Sequence, residues 1–292
     1  MRGMGTGLKE GNLIARSDNA TVIPAAFLAF LPAENGRFRP KGEMMRLMGK
    51  VAVVTGGGSG FGEGIVRKFV AEGAKVVLMD RDAGAANRVA DSLGGACVAY
   101  VGDVAQAAGM EGARDMALSA FGGLHVLVNN AGVVHVPTPL DDIDEATFDR
   151  IANVNMRSVY HGARAMVPHF KAQRLGAILN VASTGGVSPR PNLTWYNASK
   201  GWVITATRAM AVELAPFGIR VNAINPVAGD TPLLATFMGS DTPEIRAKFL
   251  STIPLGRFST PEDMGNAAAF LCSDEASMIT GVAMEVDGGR CI

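Results

Sequence analysis

Tyr196 and Lys200 stand four residues apart in the stretch WYNASKGW, and Ser183 precedes the tyrosine by 13 residues. Residues i and i+4 share one face of an α-helix, so a helix here brings the ammonium near the phenol. A positive charge lowers the pKa of a phenol, which is about 10 when unperturbed, and makes it usable as an acid or base near neutral pH. Ser183 could then donate a hydrogen bond to a substrate oxygen. The spacing alone also fits a solvated helix edge, so its meaning depends on the surrounding sequence.

A glycine-rich turn follows the apolar run 51–55. The sequence TGGGSGFGEG places Gly56, Gly60 and Gly62 immediately before a helical pattern. Glycines at such a turn let the backbone bend tightly and approach a pyrophosphate, which is stabilised by the N-terminus of the next helix. The turn therefore predicts a dinucleotide cradle, although any tight turn between a strand and a helix could use glycine.

Asp80 ends the second apolar run, 18 residues after Gly62. At that separation an acidic side chain meets the hydroxyls of an adenosine ribose; the alternative role is a helix cap or turn residue. A carboxylate repels a 2′-phosphate, and the glycine loop has no Arg or Lys to receive one. NAD is predicted as the cofactor, and Arg81 beside the carboxylate keeps NADP as the alternative.

Short apolar runs alternate with longer amphipathic stretches along the rest of the chain. The predicted strands are 51–55, 75–80, 96–103, 125–131, 177–183, 219–226 and 281–288, and the predicted helices are 60–72, 83–93, 106–121, 144–172, 194–215 and 261–273. Runs of Val, Ile, Leu and Ala are typical of parallel strands covered on both faces. The fold class is therefore α/β, a single-domain, Rossmann-type, doubly wound parallel sheet of about seven strands with helices on both faces.

Composition narrows the classes of partner. Lys plus Arg equals Asp plus Glu at 27 each, so no net charge attracts nucleic acid or an anionic membrane. The three cysteines and four histidines lack the spacings of a disulfide framework or a metal site, which predicts no metal and a reducing, cytoplasmic location. Residues 1–44 lack periodicity, and their longest apolar run is too short to span a bilayer. We expect a disordered extension at 1–44 and one oxidoreductase domain at 45–292.

Several motifs in one order make the sequence resemble the short-chain dehydrogenase/reductase family over roughly residues 46–292. They are TGGGSGFG in the first turn, Asp80, GDV at 102–104, NNAG at 129–132, NVN at 153–155, Ser183 and YNASK at 196–200. The resemblance implies hydride transfer between a nicotinamide and a substrate carbon. It also implies a homotetramer or homodimer, because the terminal stretch EVDGGRCI resembles the family's last strand and tail.

The resemblance also implies residue roles. Tyr196 would exchange a proton with the substrate oxygen, and Lys200 would bind the nicotinamide ribose and lower the tyrosine pKa. Ser183 would orient the substrate, and Asn155 would support a water-linked proton relay to the lysine from a helix interior. The implied cofactor-binding residues are Gly56, Ser59, Gly60, Phe61, Gly62, Asp80, Asp103, Val104, Asn130, Gly132, Tyr196, Lys200, Gly229 and Thr231.

One loop departs from the family pattern. After the sixth predicted strand the family has Pro-Gly and then a β-branched residue, whereas this chain reads Pro226-Val227-Ala228-Gly229-Asp230-Thr231. We expect Gly229 to provide the backbone contact to the nicotinamide carboxamide. The departure puts in question the conformation of the loop and the pocket wall at Val227.

The predicted activity is an NAD-dependent oxidoreductase acting on a secondary alcohol or ketone. The segments expected to approach the substrate, 133–136, 184–191, Trp195 and 233–252, are mostly apolar or small, which favours a small neutral substrate. The alternatives are an NADP-dependent 3-oxoacyl thioester reductase and a non-catalytic dinucleotide-binding protein on the same fold. The joint presence of the four groups assigned to catalysis favours an enzyme over the last of these.

Overall fold

Strands and helices alternate through residues 45–292, the part of the chain that the computed structural model describes. The extension expected at 1–44 lies outside the described residues. The strands are β1 (Val51–Thr55), β2 (Lys75–Asp80), β3 (Cys97–Val101), β4 (Val126–Asn129), β5 (Gly176–Val181), β6 (Ile219–Pro226) and β7 (Ala283–Val286). Each strand begins and ends within a few residues of its predicted limits.

The strands form one parallel sheet in the order β3-β2-β1-β4-β5-β6-β7. The chain winds outward from β1 in one direction and then from β4 in the other. The carboxyl ends of β1 and β4 therefore flank a topological switch point, where open α/β sheets bind their ligands. This sheet confirms the predicted fold class.

Helices cover both faces of the sheet. They are α1 (Gly60–Ala71), α2 (Ala83–Leu93), α3 (Ala107–Phe121), α4 (Glu145–Ile151), α5 (Ser158–Gln173), α6 (Thr194–Leu214), α7 (Leu234–Met238), α8 (Pro243–Leu250) and α9 (Pro261–Cys272). The buried core is divided between the two faces: Phe69 and Leu78 belong to one apolar cluster, and Met110 and Phe170 belong to the other. Strands buried on both sides explain why the sequence shows continuous apolar runs rather than alternation.

The long helix expected at 144–172 is interrupted. Residues Ala152–Arg157 form a π-helical segment between α4 and α5, and the chain continues in helical conformation on both sides. Segments of this kind insert one extra residue into an α-helix and are frequent at functional sites. The segment contains Asn155, so the interruption falls at a predicted catalytic residue.

Two helices were missing from the sequence-based assignment. Helices α7 and α8 lie between β6 and α9, in the stretch 233–252 that was expected only to approach the substrate. Helix α7 has five residues, and α8 is weakly amphipathic with no buried residue, so neither carries the periodicity that identifies a helix. We call residues 233–252, the stretch expected to approach the substrate, the substrate lid.

Candidate active site

The glycine-rich turn after β1 packs closely against itself and against the residues that follow β4. Gly56 and Gly60 have φ of 63° and 53°, values that suit glycine. A methyl group added at Gly62 would overlap the carbonyl oxygen of Gly56 and lie 2.5 Å from Asn130 Nδ2. Ser59 caps α1 in an extended conformation without a side-chain hydrogen bond to the helix, which leaves the first-turn N–H groups available to an anion.

Asn130 ties the cradle to the end of β4. Its Nδ2 donates to the carbonyl oxygens of Thr55 at 2.8 Å and Gly56 at 3.0 Å. The Thr55 hydroxyl accepts from the backbone N–H groups of Asn130 and Ala131 and donates to Val128. These bonds join the carboxyl ends of β1 and β4 at the switch point.

Asp80 ends β2 at the edge of the cradle. Its carboxylate accepts hydrogen bonds from the backbone N–H groups of Gly58 at 2.9 Å and Asp82 at 3.1 Å. The cap of α2 is Asp82, whose side chain accepts from Ala85, so Asp80 is not the helix cap. Its bond from the Asp82 N–H makes Asp80 a turn residue as well, and its contact with a ribose stays a prediction. The side chain is held in place by the glycine loop while it lines the cleft.

Tyr196 and Lys200 lie on one face of α6, and both side chains are buried. Lys200 Nζ donates to the carbonyl oxygen of Val181 at 2.8 Å and lies 6.0 Å from the centroid of the Tyr196 ring. Ser183 follows β5, accepts from Gly185 N–H at 3.0 Å and hydrogen-bonds with the Tyr196 hydroxyl. The fold therefore brings the three side chains to one place at the carboxyl end of β5.

Burial shifts the pKa values of both Tyr196 and Lys200. Burial raises the pKa of Tyr196 above its usual value of 10.0, and the hydrogen bond with Ser183 opposes that rise. Burial also lowers the pKa of Lys200 from 10.5 to about 8. Desolvation of the buried phenol is the larger cause of the Tyr196 shift, and the lowering of the Tyr196 pKa by Lys200 stays a prediction.

Asn155 projects from the π-helical segment and is buried. Its Oδ1 accepts from Val133 N–H at 2.8 Å, and its Nδ2 donates to the Val133 carbonyl at 2.9 Å and to Ser199 Oγ at 3.0 Å. A methyl group at Gly132 would meet Lys200 Nζ at 3.4 Å and Asn155 Oδ1 at 3.5 Å. The asparagine amide and the lysine ammonium thus approach the same side of Gly132.

The loop that departs from the family pattern pairs with Ser259, two residues before α9. Gly229 bridges to Ser259, and the N–H groups of Asp230 and Ser259 donate to the carbonyls of Ser259 and Ala228. A side chain at 229 would overlap the ring of Phe61. Val227 is buried and lines the cleft, so the loop keeps a defined wall beside the switch point.

A cleft of about 390 Å³ joins these groups. Of the predicted site residues, it is lined by Gly56, Ser59, Gly60, Phe61, Gly62, Asp80, Asp103, Val104, Asn130, Gly132, Ser183, Tyr196, Lys200, Gly229 and Thr231. Asn155 does not line it and acts on the cleft through Val133. Among residues 45–292 no group of three or more His, Cys, Asp or Glu side chains is placed to hold a metal ion, and no helix there is long and apolar enough to cross a membrane.

Some contributors to the cleft had no signal in the sequence. Arg88 of α2 donates to the carbonyl oxygen of Gly58 at 2.8 Å and pairs with Glu63, which supports the glycine loop from outside. Phe237 of the substrate lid lines the cleft and meets the Tyr196 ring edge-on at 5.8 Å between centroids. Both contacts join residues distant in sequence, and no motif marks them.

Comparison with known proteins agrees with this geometry. A family model described as enoyl-(acyl carrier protein) reductase matches residues 56–290. The 4-formylbenzenesulfonate dehydrogenase of Comamonas testosteroni is 48% identical over 257 residues, which cover 85% of this chain and 100% of that protein.

Two solved structures are also similar. The crystal structure of a 3-ketoacyl-(acyl-carrier-protein) reductase from Brucella melitensis complexed with NADH is 53% identical, with a TM-score of 0.80, and covers 84% of this chain and 100% of that one. The structure of an NAD+-bound xylitol dehydrogenase is 30% identical, with a TM-score of 0.78 and the same coverage. With the sheet order and the motifs in register, these matches establish that the chain belongs to the short-chain dehydrogenase/reductase family.

Proposed function

We propose that Tyr196 carries the proton transfer of an NAD(H)-dependent oxidoreductase that acts on a secondary alcohol or ketone. The observation that carries the proposal is the buried junction of Tyr196, Ser183 and Lys200 beside a dinucleotide cradle. A non-catalytic dinucleotide-binding protein needs no such junction, and the related proteins described above are dehydrogenases and reductases.

The described residues fit NAD. At Gly62 the turn is packed so closely on the carbonyl oxygen of Gly56 that there is no room for a methyl group. The first turn of α1 offers free N–H groups to a pyrophosphate. Asp80 supplies a carboxylate at the ribose position, and the solved relatives carry NADH and NAD+. Bound NAD(H) supplies or accepts the hydride. The family assignments given above, including Gly229 and Thr231 beside the nicotinamide, are part of the proposal.

The side chains divide the remaining work. The Tyr196 hydroxyl gives a proton to the substrate oxygen in reduction and takes it back in oxidation, while Ser183 donates a hydrogen bond to the same oxygen. Lys200 binds the nicotinamide ribose and places its charge near the phenol. Asn155 holds Val133 and supports a water-linked proton relay to Lys200; the approach of both side chains to Gly132 supports that assignment.

The substrate end of the cleft is apolar. Val133, Leu233, Leu234 and Phe237 line it, which favours a neutral reacting group carried on a small apolar skeleton. A 3-oxoacyl thioester is the second candidate, because the 53% identical solved structure is a 3-ketoacyl-(acyl-carrier-protein) reductase. A panel of secondary alcohols, ketones and one 3-oxoacyl thioester, each assayed with NADH or NAD+, decides between them.

We further propose a cytoplasmic homotetramer or homodimer. Leu255, Met278 and Ile292 are exposed apolar side chains, and Leu255 packs near Gly288 in the terminal stretch that resembles the family's contact region. The three cysteines are free, as expected in a reducing compartment. Light scattering on the purified protein measures the oligomeric state.

The assignment of Tyr196 is tested by Tyr196→Phe. This variant keeps the ring that packs on Phe237 and removes only the hydroxyl, so we expect turnover to fall by about a hundredfold to ten-thousandfold while NADH binds within twofold of the unaltered protein. Tyr160→Phe, at a half-exposed tyrosine of α5, is the matched control. Near-normal turnover by Tyr196→Phe would show that another group transfers the proton.

A further inference from the structure

The substrate lid is connected to the catalytic tyrosine by a row of aromatic rings. The Phe237 ring meets Tyr196 edge-on at 5.8 Å, and Phe249 of α8 meets Phe237 edge-on at 6.1 Å. Edge-to-face pairs at these separations are attractive and directional. The position of α8 therefore bears, through Phe237, on the space beside the reacting hydroxyl.

Arg190 contacts Phe249, the ring of this row that lies farthest from Tyr196. Its guanidinium lies 4.4 Å from the centroid of the Phe249 ring, and its NH2 group donates to Thr252 Oγ1 at 3.0 Å. Phe249 belongs to α8 and Thr252 ends the substrate lid, so one side chain holds the lid at two points. A planar guanidinium can stack and donate at the same time, which a lysine ammonium does poorly.

The loop that carries Arg190 is itself anchored to the catalytic helix and to the C-terminal tail. The Arg190 carbonyl accepts from Nδ2 of Asn197, the residue after Tyr196, at 2.8 Å. Two residues earlier, Ser188 accepts from the Arg290 guanidinium at 3.2 Å. Arg190 thus extends toward the lid from a backbone that is fixed relative to the tyrosine.

Within residues 45–292 the guanidinium of Arg190 forms no ion pair with a carboxylate. Its described contacts are the Phe249 ring and the Thr252 hydroxyl. Burial lowers its pKa, and the charge of Arg290 lowers it further, so a half-buried cation is retained here without an acidic partner. A surface arginine with no role at the lid would gain by turning toward solvent.

We infer that Arg190 is a positioning residue that holds the substrate lid against the catalytic helix, so that Phe237 forms one wall of the substrate site beside Tyr196. The inference rests on the proposed function, since it gives the lid a role in binding the alcohol or ketone. It predicts that loss of Arg190 weakens substrate binding and leaves the cofactor cradle intact, because Arg190 and its two contacts on the lid, Phe249 and Thr252, include no residue of the cradle.

The test compares Arg190→Gln, Arg190→Lys and Phe249→Leu with the unaltered protein. For Arg190→Gln we expect KM for the ketone to rise about five- to tenfold, with kcat and NADH affinity within twofold. Arg190→Lys restores part of the loss, since it keeps the charge and loses the planar stacking. The double variant with Phe249→Leu should lose less than the product of the two single losses, because both remove the same contact.

A second measurement does not depend on activity. Arg246 and Lys248 lie on α8, so trypsin cleavage after them, followed by mass spectrometry, reports opening of the lid. We expect Arg190→Gln to speed this cleavage about fivefold or more and the exposed-site control Arg164→Gln to leave it unchanged. Unchanged KM and unchanged cleavage in Arg190→Gln would overturn the inference. Failure of the proposed function would appear separately, as absent turnover in the unaltered protein. The cleavage assay would still report whether Arg190 holds the lid.

Discussion

The cofactor cradle and the substrate lid are built in opposite ways. The cradle uses backbone atoms from one short stretch, where Gly56 and Gly62 leave no room for a methyl group. The lid uses side chains, and its contacts join α7, α8 and the loop before α6 through Phe237, Phe249 and Arg190. A ligand common to a whole family permits a fixed backbone, whereas a ligand that varies among relatives calls for exchangeable side chains. The comparison predicts that substitutions are severe in the cradle and graded in the lid.

The largest effect is expected for Gly62→Ala. Its methyl group would overlap the carbonyl of Gly56, a backbone atom that cannot swing away, so the turn must open. We expect NADH affinity to fall about a hundredfold or more, equivalent to about 3 kcal/mol, as measured by fluorescence titration. Gly95→Ala is the matched control, because a methyl group there has nothing within 4 Å. Equal NADH affinity in the two variants would contradict the rigid-cradle description.

A smaller effect is expected at Lys200, which lies on α6 and lines the cleft. Because its pKa is lowered to about 8 in the folded protein from 10.5, the unfolded chain binds the proton more strongly between those values. The stability of the protein should therefore rise with pH through that window, and below pH 8 the buried charge carries its full cost of about 3 kcal/mol.

Lys200→Met tests that cost. The variant removes the buried charge and also the hydrogen bond to Val181, which is worth about 1 kcal/mol. We therefore expect its free energy of unfolding at pH 7, measured in urea, to be about 1–2 kcal/mol higher than that of the unaltered protein, and its activity to be lost. The gain should shrink at pH 9.5, where the lysine is largely neutral in the folded protein. A variant that is less stable at pH 7, or a gain independent of pH, would contradict the assigned direction.

The smallest effect is expected for Phe237→Leu in the lid. The substitution keeps an apolar side chain but removes the ring edge against Tyr196, so the wall of the substrate site recedes. We expect the ratio of kcat/KM for a bulky and a small ketone to change about threefold to tenfold, with NADH affinity unchanged. Phe217→Leu, at a ring that contacts Lys171, is the control. A large loss of NADH affinity in Phe237→Leu would remove the distinction between the two regions.

The same distinction governs what could be predicted from the sequence. The strands and the glycine turn were predicted because their cause is local: buried parallel strands need apolar runs, and a tight turn needs glycine. The residues predicted for the cofactor side come together around one cleft for the same reason. Their individual roles stay predictions until the variants are measured.

The parts that sequence reasoning missed arise from distant contacts. Helices α7 and α8 have no strong periodicity, since most of their side chains face solvent or a cleft rather than the core. The rise in the Tyr196 pKa depends on how completely the phenol is buried, which no spacing in the sequence states. The contact of Arg190 with Phe249 joins residues that are 59 positions apart.

The π-helical segment Ala152–Arg157 lets one continuous helix pack on α6 before the segment and on the sheet after it. An extra residue advances the helix by about 100°, so α4 and α5 are out of phase although the chain runs through both without a loop. Before the extra residue the helix packs on α6, and after it Met166 and Phe170 turn into the sheet. A deletion of one residue here would keep the helix but rotate all of α5 away from the core. The position of Asn155 and the packing of α5 therefore depend on the same extra residue.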